Sequence, residues 1–242
     1  SRGVASQING TVGAFHRNFT TALNPQITKT YAAEDFEYVK RLVCKGAKFS
    51  YLAFFFIALP CMIEVNFFLS VWLKEVPAYA GIFVQLTLLN SLVEVLLNSS
   101  ETLNRATGKI RNFQLLVSSA QFAILIASYI ALKITANPIL VVSMANIIYL
   151  LIFVPRILVN KPYVGMTFGY YYKEVLQGII MMSVISAALS LLPFMFMSDG
   201  WMRLVTVGVV SSISIIITSA IFVLTKGERD MVVRFVKNKL KR

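Results

Sequence analysis

The chain has 242 residues, of which 57 % are hydrophobic and 14 % charged, with a formal net charge of +12 and a mean hydropathy of +0.71. That balance excludes a water-soluble globular domain, which needs more polar surface, and identifies an integral membrane protein. The positive excess calls for no nucleic acid, because basic inner loops and a basic tail beside anionic lipid account for it.

Seven membrane helices are predicted, at about residues 4–28, 47–73, 78–104, 112–133, 137–157, 173–197 and 201–225. The expected fold is an all-α, polytopic transmembrane bundle over residues 1–226, followed by a basic amphipathic tail at 227–242. A spanning helix needs about 20 apolar residues. Uncharged runs of that order occur at residues 113–132, 134–155, 175–198 and 204–225, and two more are interrupted only by Glu64 and Glu94.

The first segment differs from the rest. Ile8, Val12, Phe15, Phe19 and Ala22 form an apolar stripe at helical spacing, while Asn9, Gly13, Arg17, Thr20, Thr21 and Asn24 gather opposite, with His16 at the edge. An arginine at a helix centre costs roughly 2.5–3.5 kcal/mol on insertion scales, so it is kept where a cavity, a partner charge or an anionic ligand compensates. Arg17 lies eight residues before Pro25, about 12 Å from the inner end. Three readings follow: Arg17 faces a cavity, closes a structural ion pair or snorkels to the inner headgroups. His16, the single histidine, is either a packed, hydrogen-bonded side chain or a proton relay.

The second segment carries Glu64 near its outer end, where the simplest expectation is an acid reaching the outer interface. In the third, Thr87, Asn90, Ser91, Glu94, Asn98, Glu101 and Arg105 recur at spacings that place them on one side of the helix. Glu101 and Arg105 suit a surface ion pair. Glu94 is deeper, so it is either protonated or meets a positive group from another helix, with Arg17 the expected candidate. In the tail, Met231, Val232, Phe235, Val236 and Leu240 alternate with bases, which suits a short helix on the membrane surface or a frayed end.

Orientation follows from the bases. Lys29, Lys40, Arg41, Lys45 and Lys48 precede the second segment; Arg105, Lys109 and Arg111 follow the third; Arg156, Lys161 and Lys173 follow the fifth; and Lys226 with the tail's six bases follows the last. The alternate connections hold only Lys74, Lys133 and Arg203. This predicts an N-terminal end outside and a cytoplasmic C-terminus, and it leads us to expect an N-terminal portion preceding this chain.

No cofactor is expected. One histidine and the distant Cys44 and Cys61 assemble no metal site, the two cysteines suit no disulfide, and no phosphate-binding glycine loop or nucleophile elbow is present. The short outer connections weigh against an enzyme of sugar polymerisation.

The polar first helix running into "NPQITKTYAAED", the segment "NSSETLNRATGKIRNFQLL" with its basic inner turn, and the order of the remaining helices resemble bacterial polysaccharide flippases of the Wzx type. These belong to the superfamily that also holds the lipid II flippase and the multidrug and toxin extrusion transporters. The resemblance implies two similar helical bundles around a cavity that opens alternately to each side, this chain being the C-terminal bundle in the bacterial inner membrane. It implies transfer of an undecaprenyl-pyrophosphate-linked oligosaccharide from the inner to the outer leaflet, with membrane lipids and the N-terminal bundle as partners. Arg17, with His16, is then the expected anion-binding element. Asn9, Thr20, Asn24, Asn90, Glu94 and Asn98 are the expected lining. A drug or cation exporter of the same superfamily is the alternative that Glu94 supports, and a membrane enzyme of polysaccharide assembly the third.

Overall fold

The computed structural model describes residues 3, 5–7, 10, 23–73, 75–135 and 137–230. Among these, every regular element is helical, and six helical stretches are long and apolar enough to cross a membrane. The protein is a membrane-embedded helical bundle, as composition requires.

After α1 (23–32) comes α2 (Phe36–Ile63), which breaks at Glu64 into the short α3 (Val65–Trp72). Then follow α4 (Ala80–Ala106), α5 (Arg111–Thr135), and a broken path of α6 (Pro138–Leu151), α7 (Phe153–Leu158) and α8 (Lys161–Val164). The last two crossings each contain a π-helical turn: α9 (Phe168–Tyr171) passes through Tyr172–Leu176 into α10 (Gln177–Phe196), and α11 (Trp201–Thr218) ends in Ser219–Val223.

Most of the first predicted helix, 4–28, lies outside the described residues. Its described end runs on to residue 32. The predicted 47–73 is corrected: α2 starts at Phe36, because the Asp35 carboxylate caps it by accepting from the Tyr38 amide at 3.0 Å. Hydropathy alone missed this basic first third. A 28-residue helix measures about 42 Å against a hydrocarbon core of about 30 Å, so Lys40, Arg41 and Lys45 fit beyond the core. The predicted 137–157 extends to Val164 and the predicted 173–197 begins at Phe168.

α2 is the central element, packed on α4, α10 and α11, while α5 and α6 pair with each other at the periphery. Half of α2's apolar window is buried, against 6 % of that in the α6–α8 span. In lipid, where apolar side chains gain little by meeting each other, close backbone approach and polar contacts hold helices together. Gly46 of α2 lies against Ser99 of α4, where an added Cβ would sit 2.2 Å from the Ser99 hydroxyl. Gly178 of α10 approaches the Phe222 carbonyl in the second π-turn just as closely. Between α10 and α11, Ser186 bonds Thr218 at 2.9 Å and Ser211 donates to Ser190 at 3.0 Å.

Candidate functional site: a buried arginine on a polar helix face

The ladder between α6 and α7 is interrupted at Ile152, where Pro155 brings no N–H for the preceding turn. The following turn points Arg156 inward, and its side chain is 4 % exposed. Its guanidinium donates from Nη1 to Glu94 Oε1 at 2.5 Å, approaches Glu101 Oε2 through Nη2 at 3.7 Å, and lies 5.6 Å from the centre of the Phe113 ring. One buried cation thus ties α7 to α4 and α5. The two carboxylates are not sealed: the Glu94 side chain is 32 % exposed and that of Glu101 24 %. The Arg156 Nε is buried with no hydrogen-bond partner.

Glu94 therefore meets a positive group from another helix, Arg156. The expected partner Arg17 lies outside the described residues. The basic count had assigned Arg156 to an inner connection. Its place four residues before Asn160, straight after a proline in an apolar run, was the signal in the sequence that this arginine turns inward.

Below the arginine a polar network continues toward the basic end. Asn160 donates to the carbonyl and hydroxyl oxygens of Ser100 at 3.0 and 2.8 Å, and Tyr171 donates to the Leu96 carbonyl at 2.6 Å. Arg105 pairs with Glu101 at 2.5 Å as expected, and remains 73 % exposed.

Of the predicted site residues, Asn9, His16, Arg17 and Thr20 fall outside the described residues. Asn24 is brought to α4: its Oδ1 accepts from Thr102 at 2.8 Å, and the same hydroxyl reaches the Asn98 carbonyl at 3.1 Å. Asn90, half-buried, lies one turn before Glu94 on the same helix face. The polar face of α4 is thus met by α1 and α7, with Asn24, Asn98, Glu94 and Arg156 along it.

A second ion cluster stands at the opposite end. Glu64, expected to reach the surface, is instead fully buried; it accepts two hydrogen bonds from Arg203 of α11, Nε to Oε1 and Nη2 to Oε2, each 2.8 Å. Arg203 also pairs with Asp199 through Nη1 and lies 4.6 Å from the centre of the Phe194 ring. Such a two-pronged grip matches the planar fork of arginine to a carboxylate.

Chemically, the two clusters differ in access. The Arg156 site, with two part-exposed carboxylates on one guanidinium, could exchange one of them for another anion, whereas both Glu64 oxygens are matched by Arg203 and enclosed. No group of three or more potential metal ligands occurs among the described residues. No family model matches the chain, and comparison with curated proteins and with solved structures gives no match either.

Proposed function

We propose that the chain is one bundle of a flippase that carries undecaprenyl-pyrophosphate-linked oligosaccharide from the inner to the outer leaflet of the bacterial plasma membrane. Its C-terminus lies in the cytoplasm, and the N-terminal bundle of the same protein completes the cavity. The observation that carries this reading is the polar face of α4, on which Glu94 and Glu101, both part-open, hold the buried Arg156 inside a membrane bundle. Ionisable groups at membrane depth are costly and persist where a hydrated path or ligand compensates them.

A diphosphate and a hydroxyl-rich sugar need that path, while the lipid tail stays in hydrocarbon. Arg17, with His16, supplies the positive element for the diphosphate, and Asn9, Thr20, Asn24, Asn90 and Asn98 meet sugar hydroxyls. Glu94 keeps the exporter as the second reading, since an acid on the cavity face could hold a cation. Its pairing with Arg156 cancels the negative charge such a substrate would need, which favours the flippase.

The test is a host lacking the gene, in which lipid-linked oligosaccharides are extracted and assigned to a leaflet. Inner-leaflet accumulation relieved by the wild-type gene, and not by Arg17→Ala, is the expected result. Unchanged lipid-linked sugar together with new sensitivity to cationic drugs would move the assignment to the exporter.

A further inference from the structure

Around Glu64 the bundle is jointed. Pro60 weakens the ladder of α2 one turn earlier, the helical path bends at Glu64 itself, and α3 continues as a separate helix of 8 residues. Directly beneath, Phe56, Ile57, Pro60 and Cys61 of α2 stand apart from Val205 and Val209 of α11 across a groove of about 460 Å³. One turn beyond the groove the Glu64–Arg203 pair ties the two helices together. The neighbouring contact between α3 and α11 is an edge-on aromatic one, Phe67 against Trp201 with ring centres 5.6 Å apart.

Arg203 is also provided for if Glu64 leaves. Asp199 lies four residues earlier in the same segment, already pairs with Nη1, and is 83 % exposed. An arginine with one partner across the joint and another on its own segment can release the first without becoming an isolated buried charge. Release is a change between two discrete packings rather than a gradual deformation, because the paired state is fully matched and an intermediate separation would strand a dry carboxylate.

We infer that the Glu64–Arg203 pair is a releasable clasp that closes the groove between α2 and α11 at the end away from the basic connections. On opening, α3 carries Glu64 toward water and Arg203 stays with Asp199. This rests on the transport function proposed above, in which one end of the cavity must open and close.

The test bridges the joint and leaves the ion pair in place. Phe67→Cys and Trp201→Cys are combined in a chain carrying Cys44→Ala and Cys61→Ala, and the two thiols are joined by a short bifunctional methanethiosulfonate that reductant removes. With thiols free, the variant is expected to relieve inner-leaflet accumulation as the wild type does; bridged, it is expected to lose that activity and regain it with reductant. Equal activity bridged and free would mean that the pair is a permanent strut, and would overturn the inference.

A second measurement needs no substrate. Cys61 lines the groove, so in Cys44→Ala protein in vesicles its labelling by a water-soluble maleimide should rise several-fold on Glu64→Gln. Cys44, buried at the other end, should stay unreactive in a matched Cys61→Ala chain, which separates opening from unfolding. Equal Cys61 labelling with and without Glu64→Gln, or a parallel rise at Cys44, overturns the clasp. If the wild-type gene itself relieves no accumulation, the flippase reading falls, and this labelling still decides the clasp.

Discussion

The two ion clusters use the same chemistry in opposite ways. At one end Glu64 is wholly buried and both its oxygens are matched by Arg203; at the other, Arg156 is the buried partner and its carboxylates are part-exposed. The lesson is that which partner of a membrane ion pair is enclosed decides what the pair can do. A dry, fully matched carboxylate makes a two-state joint, because separating it exposes an unpaired charge to a low-dielectric surrounding. A part-exposed carboxylate on a buried guanidinium can be displaced at smaller cost, because it is not enclosed on every side.

The largest effect should come from stranding Glu64. Arg203→Ala leaves a buried carboxylate without its partner and should cost about 3–5 kcal/mol, read as a lower thermal unfolding midpoint in detergent. Replacing both charges, Glu64→Leu with Arg203→Met, should recover most of that loss; a double variant as unstable as the single one would mean that the pair supplies packing rather than charge balance. Removing the cation at the other end should cost less, because Glu94 and Glu101 are part-exposed and not enclosed. Arg156→Ala is expected to cost about 1–3 kcal/mol, and a loss as large as that of Arg203→Ala would erase the contrast between the ends.

The contact between Glu94 and Arg156 should register as a coupling of about 1 kcal/mol once solvent screening is allowed for. A double-mutant cycle with Glu94→Gln and Arg156→Gln measures it, and additive effects would remove Glu94 as the partner. Smallest of all, Arg105→Ala should change stability by less than about 0.5 kcal/mol, since that side chain is mostly in water. A larger loss would mean that Arg105 supports the Glu101–Arg156 approach, and not only the surface.

Much of the bundle was legible in the sequence. Long apolar runs with few charges leave little choice but helices spanning lipid, and the polar face of α4 is visible as residues three and four apart. At the end of α1, Asn24, expected in the lining, accepts from Thr102 of α4 beside Asn98, a helix–helix contact that the sequence does not announce. The start of α2 was missed because hydropathy registers the apolar core and not a basic extension of the same helix, although Asp35 as a cap was there to be read. Glu64 was misread because a lone acid near a helix end has a cheap local solution at the interface, and nothing nearby in the chain announces Arg203.

By itself, then, the sequence determined the class of the protein, the membrane-spanning helices, the basic and non-basic ends and the polar face of α4, all of which depend on local composition and helical period. Only the tertiary structure decided the partners. Arg156 meets Glu94 across 62 positions and Arg203 meets Glu64 across 139, and those pairings depend on which helices lie side by side and how each is rotated. Close small-residue contacts such as Gly46 on Ser99, and breaks such as those near Pro60 and Pro155, set those rotations. Because lipid gives no net drive for one apolar face to choose another, the pattern of hydrophobic residues carries no record of that choice.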